Sequence, residues 1–200
     1  ANLSATVISD FDPASGTLTF SPGQTVKTIS VPVKGDVLDE REFESFTVNL
    51  SSPVNATISD GVAIGTITDD DSAQLNITTT SPVAEGNFGV KPMVFTVTLS
   101  TPADFVVTAQ YVVQSGAGVD GAIAGTDFLG TAGTLTFLPG QTVQTYTVMI
   151  VGEWTVEPDE RLTTQILDGS VTIVANVAYG TIVNDDSGTG GFVHLPLVAR

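Results

Sequence analysis

The 200-residue chain has no cysteine, one histidine, one tryptophan and two methionines. Without cysteine no disulfide can staple the fold, and a bound metal is the remaining kind of internal cross-link. The single histidine is His194, in the C-terminal tail, so no Ser-His-acid set can be assembled and a lone imidazole makes no metal site. Bases are scarce too. Six Lys and Arg stand against 22 Asp and Glu, a formal net charge of −16. That balance argues against nucleic acid and against anionic membranes as partners. No Gly-rich phosphate loop follows a strand and opens a helix. No apolar run is long enough to span a bilayer; the tail Phe192 to Arg200 is apolar but too short. Residue 1 is not Met and no signal peptide is visible, so the chain reads as a piece of a larger protein.

What is abundant is Thr, Val and Gly, in short runs alternating apolar with polar. This is the composition and period of an all-β chain. The sequence also repeats. Gly65-Thr66-Ile67-Thr68-Asp69-Asp70-Asp71 returns as Gly180-Thr181-Ile182-Val183-Asn184-Asp185-Asp186. Upstream of each, Gly16-Thr17-Leu18-Thr19-Phe20 with Pro22-Gly23-Gln24-Thr25 returns as Gly133-Thr134-Leu135-Thr136-Phe137 with Pro139-Gly140-Gln141-Thr142. The spacing is that of a duplicated domain rather than a short solenoid repeat.

Three segments are expected: 1–71, a partial sandwich with only its last strands; 72–187, a complete seven-stranded one; and 188–200, a Gly/Ser/Thr spacer with the apolar tail. In the first repeat, Leu18 and Phe20, then Ile29, Val31 and Val33, then Phe46 and Val48, predict strand faces pointing inward. The strands that would cover them fall upstream of residue 1. Left open, each such side chain forfeits roughly 1.5–3 kcal/mol of burial.

Strand order makes a prediction about charge. If the seven strands of the second repeat alternate in direction, three loops and the exit of the last strand share one pole. Those segments carry Glu85, Asp127, Glu153, Glu157, Glu160, Asp185 and Asp186, while the opposite pole is nearly free of acid. Carboxylates gathered this way repel, and favour protonation or splaying unless a cation neutralises them. Oxygen ligands without His or Cys suit Ca²⁺, which accepts six to eight oxygens in irregular geometry. The plain alternative is a solvated acidic pole. Trp154, beside Glu153, is expected to be a half-buried loop cover, with sugar stacking as its functional alternative.

The combination of Val83-Ala84-Glu85-Gly86, Gly125-Thr126-Asp127-Phe128, Pro139-Gly140-Gln141-Thr142, Glu157-Pro158-Asp159-Glu160 and the closing Asp run resembles the Calx-beta family of calcium-binding β-sandwich modules. The resemblance covers about 72–187 and, without the first motif, 10–71. It implies tandem immunoglobulin-like antiparallel sandwiches, the first incomplete. It also implies Ca²⁺ ligands at Glu85, Asp127, Glu153, Glu157, Glu160, Asp185 and Asp186, and at Asp10, Asp36, Glu40, Glu44, Asp69, Asp70 and Asp71 in the first copy. Two departures stand out. Asn184 replaces the first Asp of the closing run, and the first copy has no counterpart of Glu85.

The function expected from this is a non-catalytic, calcium-binding structural or adhesion module of an extracellular or cell-envelope protein. Ca²⁺ would stiffen the loops and the junction between repeats. Partners would be neighbouring repeats of the same chain, then surface proteins or carbohydrate, with no nucleic acid and no direct membrane insertion. A metal-free spacer and a carbohydrate-binding or hydrolase-associated module are the alternatives. The tail resembles short endings of exported proteins, which fits that destination.

Overall fold

The structure is a computed structural model describing residues 5, 10–40, 43–130 and 132–187. The tail therefore lies outside the described residues. Every regular element among the described residues is a strand. The chain divides into two compact units, Ala1–Ser72 with Thr101–Phe105, and Ala73–Ser100 with Val106–Arg200.

The first unit holds β1 (Phe43–Asn49) and β2 (Val62–Thr68), paired antiparallel from Phe43 opposite Thr68 to Asn49 opposite Val62. The strands expected over Leu18–Phe20 and Ile29–Val33 are not formed. One bridge, Phe11 to Val33, and two flanking bonds, Asp12 N to Pro32 O (2.9 Å) and Lys34 N to Asp10 O (3.0 Å), tie the end of that stretch to Asp10–Asp12. The physical reason lies in pairing. The matching segments of the second unit bond to partner strands that have no equivalent among the described residues of the first. Leu18, Phe20, Ile29 and Val33 consequently stay exposed, and Leu18 and Ile29 line an open groove of about 700 Å³ with Phe11, Phe46 and Val48. None of the groove's lining residues is titratable.

The second unit contains β3 (Gln74–Thr79), β4 (Val83–Ala84), β5 (Val90–Leu99), β6 (Val107–Ser115), β7 (Phe128–Leu129), β8 (Ala132–Phe137), β9 (Val143–Val151), β10 (Glu160–Gly169), β11 (Thr172–Ile173) and β12 (Val177–Val183). Seven are long and three have two residues. They form two five-stranded sheets in the orders β4-β12-β10-β6-β8 and β11-β3-β5-β9-β7. Alternation puts Met93, Phe95, Val97 and Leu99 of β5 inward, against Val107 and Ala109 of β6 and Leu162 and Ile166 of β10. Tyr146, Val148 and Ile150 of β9 and Phe137 of β8 complete this core.

One polar pair interrupts it. The Tyr146 hydroxyl and Thr164 Oγ1 are hydrogen-bonded, and Thr164 Oγ1 also donates to Val112 O at 3.1 Å. Tyr146 stacks on Tyr111 at 3.9 Å between centroids, and burial pushes its phenol up to about 12. The Thr164 hydroxyl is thus satisfied inside the core.

The short strands position the acidic pole. After β3 in one sheet, the chain crosses so that β4 pairs parallel with β12 of the other, Val83 beside Ile182 and Ala84 beside Val183. Glu85 N then donates to Val183 O (3.1 Å), which sets Glu85 at the exit of the last strand. Likewise β7 pairs with β9, Phe128 opposite Ile150, and Val151 N donates to Asp127 O (2.9 Å).

Candidate metal centre

Three carboxylates of the second unit, Glu85, Glu153 and Glu157, offer oxygens within 4.8 Å of one another. Asp127, Glu157 and Glu160 form a second such group, so Glu157 belongs to both. A spread of that size is about twice a Ca²⁺–oxygen bond of roughly 2.4 Å. Five of the seven second-repeat residues singled out from sequence thus meet in two adjoining groups.

The other two, Asp185 and Asp186, close the site from the end of β12. Asp185 Oδ1 accepts from Gly86 N (2.9 Å), and Asp186 Oδ1 accepts from Asn87 Nδ2. Asn87 carries no charge and belongs to no motif, so sequence gave no signal for it. Asn184 keeps a structural part: its Oδ1 accepts from Asp186 N (3.1 Å), as Asp69 Oδ1 accepts from Asp71 N (3.2 Å) in the first unit. The Asp-to-Asn difference therefore removes a charge and preserves the turn. Asp159 accepts from Asn184 N (3.1 Å) and serves the same turn.

Loop packing explains the glycine at 152. A Cβ there would run into the carbonyl oxygens of Gly86 and Glu85. The loops after β4 and β9 can close on each other because Gly152 has none. Gly86, at φ +76°, supplies the matching turn. On the other side, Asp127 Oδ2 accepts from Ile123 N (2.6 Å), which fixes its remaining oxygen toward Glu160.

The electrostatics are those of an acid cluster in which carboxylates outnumber the nearby ammonium, Lys91 Nζ beside Gly86. Glu85 is 1% exposed, yet its Oε1 has no hydrogen-bond partner among the described residues; the same holds for Glu160 Oε2 and Asp186 Oδ2. Burial, then the charges of Glu157 and Glu153, push Glu85 up to about 7. Burial, then Asp127, push Glu160 up to about 7 as well. Glu157 is raised by burial and by Glu153. Buried carboxylate oxygens without partners are costly, and a hard divalent cation fits this donor set.

In the first unit, Asp10, Glu40 and Glu44 form one group within 4.8 Å. Asp36, Asp69, Asp70 and Asp71 are not in that group, but with Asp10 and Glu40 they line one crevice of about 40 Å³. Asp36 Oδ1 is taken up by Leu38 N (2.8 Å) and Asp69 Oδ2 by Glu40 N (3.1 Å). Burial, then Glu44 and Asp10, push Glu40 up to about 7. Lys34 also lines this crevice, and its Nζ pairs with Asp12 at 2.9 Å. The second repeat has Val151 at the position matching Lys34, and the ammonium near its acid cluster comes instead from Lys91, whose Nζ lies against Gly86.

Trp154 does not cover the loop as expected; it is 72% exposed. Glu153 and Glu157, on the same loop, turn toward Glu85 while the indole lies outside.

The family model described as the Calx-beta domain matches residues 1–78 and again 76–186. Among solved structures, similarity extends to CBD12 from CALX1.2 at 24% identity, covering 56% of this chain and 46% of that one with a TM-score of 0.49. The apo-form Calx CBD1 domain is matched at 23% identity, over 58% of this chain and 100% of that one, with a TM-score of 0.45. The calcium binding domain CBD12 of CALX1.1 is matched at 25% identity, over 56% and 46%, with a TM-score of 0.46. This chain therefore spans about half the length of the two CBD12 structures.

Proposed function

The chain belongs to the Calx-beta domain family, and from that premise we propose that it is a non-catalytic structural module whose second repeat binds Ca²⁺. The observation that carries this reading is the buried Glu85 Oε1, which has no hydrogen-bond partner among the described residues and is grouped with Glu153 and Glu157. When bound, Ca²⁺ supplies the positive charge and the missing coordination there. Glu85 and Glu160 act as the buried anchors. Glu157 joins the two groups, and Asp127 is oriented by its own turn. Asp185 and Asp186 hold the loop after β4 against the end of β12, so ligation and loop closure are coupled.

The destination we propose is extracellular or the cell envelope, with a spacer or adhesion role for the parent protein. No helix among the described residues is long and apolar enough to cross a membrane. Chain continuity supports a further effect. Asp71 is followed at once by Ser72 and Ala73, so closing acids of one repeat adjoin the first strand of the next in sequence. Neutralising those acids would stiffen the junction.

For the first repeat, a metal-free role has its own support. Lys34 already lines the acidic crevice. A calorimetric titration with Ca²⁺, repeated with Mg²⁺, tests both assignments. One dominant class of Ca²⁺ sites in the second repeat is expected, with Mg²⁺ weaker because it demands a stricter octahedron. Equal, weak heats from both ions would count against it.

A further inference from the structure

The loops that carry the ligands also carry apolar side chains that nothing in the site uses. Phe88 is 81% exposed, Trp154 72% and Val156 55%. They stand together by construction: Gly152 N donates to Gly89 O (2.9 Å), tying the loop of Phe88 to the loop of Trp154 and Val156. Both loops converge on Glu85, Glu153 and Glu157. The band continues onto the outer face of the sheet. Exposed Val90 stands opposite Val151, and exposed Leu129 stands opposite exposed Met149. Burying such side chains is worth far more than leaving them in water, and their clustering around an ion site is not explained by folding.

The site itself is open on that side. Glu153 and Glu157 are only half-buried, so an ion held there can also take oxygens from outside the chain. Water or an outside anion can supply them. The outside group must therefore present anionic oxygens beside a body that accepts Phe and Val. A fluid interface moulds around separate apolar tips, and indole favours the headgroup level.

Resting on the calcium reading above, we propose that the second repeat docks through bound Ca²⁺ onto an anionic lipid surface, with Phe88, Trp154 and Val156 entering the headgroup layer. Charge makes the contact conditional. At a net charge of −16 the chain is repelled by such a surface, and Ca²⁺ bridges the two anionic partners. This is adsorption, not insertion across the bilayer.

Trp154 is the sole tryptophan, so its emission reads one of the tips directly. The full chain is mixed with vesicles of equal parts phosphatidylglycerol and phosphatidylcholine, or of phosphatidylcholine alone, with Ca²⁺ or with chelator. The expected result is a blue shift and co-sedimentation only with the anionic vesicles and Ca²⁺. Phe88→Ser and Val156→Ser should each weaken vesicle binding about tenfold or more, while the calorimetric Ca²⁺ heat is unchanged. Normal Ca²⁺ heat without vesicle binding overturns the docking and leaves the calcium site standing. Absence of Ca²⁺ heat overturns both. A shift produced by soluble polygalacturonate and not by vesicles overturns the lipid assignment in favour of an acidic glycan.

Discussion

Glu85 is the residue on which the site turns. It reaches its place because two residues of β4 pair with the last strand, and it is buried there with its Oε1 unpartnered among the described residues. Replacing it with Gln removes a charge from a repelling cluster and keeps the shape. Glu85→Gln should therefore raise the melting temperature of the calcium-free chain, and weaken Ca²⁺ about tenfold or more. Thermal melts with and without chelator, beside a titration, separate the two effects. Loss of stability in the calcium-free state would argue that Glu85 has an unseen partner. The pH dependence follows from the same group. Glu85 and Glu160 ionise near 7 when folded, against 4.5 as ordinary carboxyls. The folded chain thus holds these protons more tightly than the unfolded one, and the associated stability is full below about pH 4.5 and lost as pH rises through about 7. Urea unfolding in chelator should show stability falling across that window. Saturating Ca²⁺ should reverse the trend above it, because the bound ion needs both carboxylates ionised. A flat profile in chelator would contradict the clustering.

At the scale of elements, the contrast between the repeats shows what patterning can and cannot decide. The alternation in Phe95, Val97 and Leu99, and in Tyr146, Val148 and Ile150, became ladders because each strand had a neighbour. The same alternation in Leu18 and Phe20 did not, because pairing is not local to the strand that carries the pattern. The convergence of acids was legible, since strand reversal alone sends alternate loops to one pole. The β4 crossing, Asn87 and the exposure of Trp154 were not: each depends on a contact far away in sequence, or on which way a loop's polar side faces. The Tyr146–Thr164 pair was half legible, as an unexpected polar residue on an inward face. The first repeat has Ile29 and Val48 at the matching positions. Thr164→Val should cost about 1–3 kcal/mol, because it leaves the buried Tyr146 hydroxyl unpaired. Adding Tyr146→Phe should recover much of that loss, as measured by urea unfolding. Failure of the second change to rescue would show that packing, not the hydrogen bond, sets the cost.

At the scale of the whole molecule, composition and site agree. A chain with 22 acids, six bases and no cysteine cannot cross-link its loops covalently, and it concentrates its charge where an ion can bridge them. Anything that binds the folded state alone stabilises it by mass action. The central claim is that the carboxylates of the second repeat hold Ca²⁺ and that this ion orders the pole. The measurement that bears on it most directly is the melting temperature of the full chain across a Ca²⁺ titration, beginning in chelator. The account predicts a saturable rise that Glu85→Gln diminishes and Mg²⁺ does not match. A melting temperature unmoved by millimolar Ca²⁺ would contradict it.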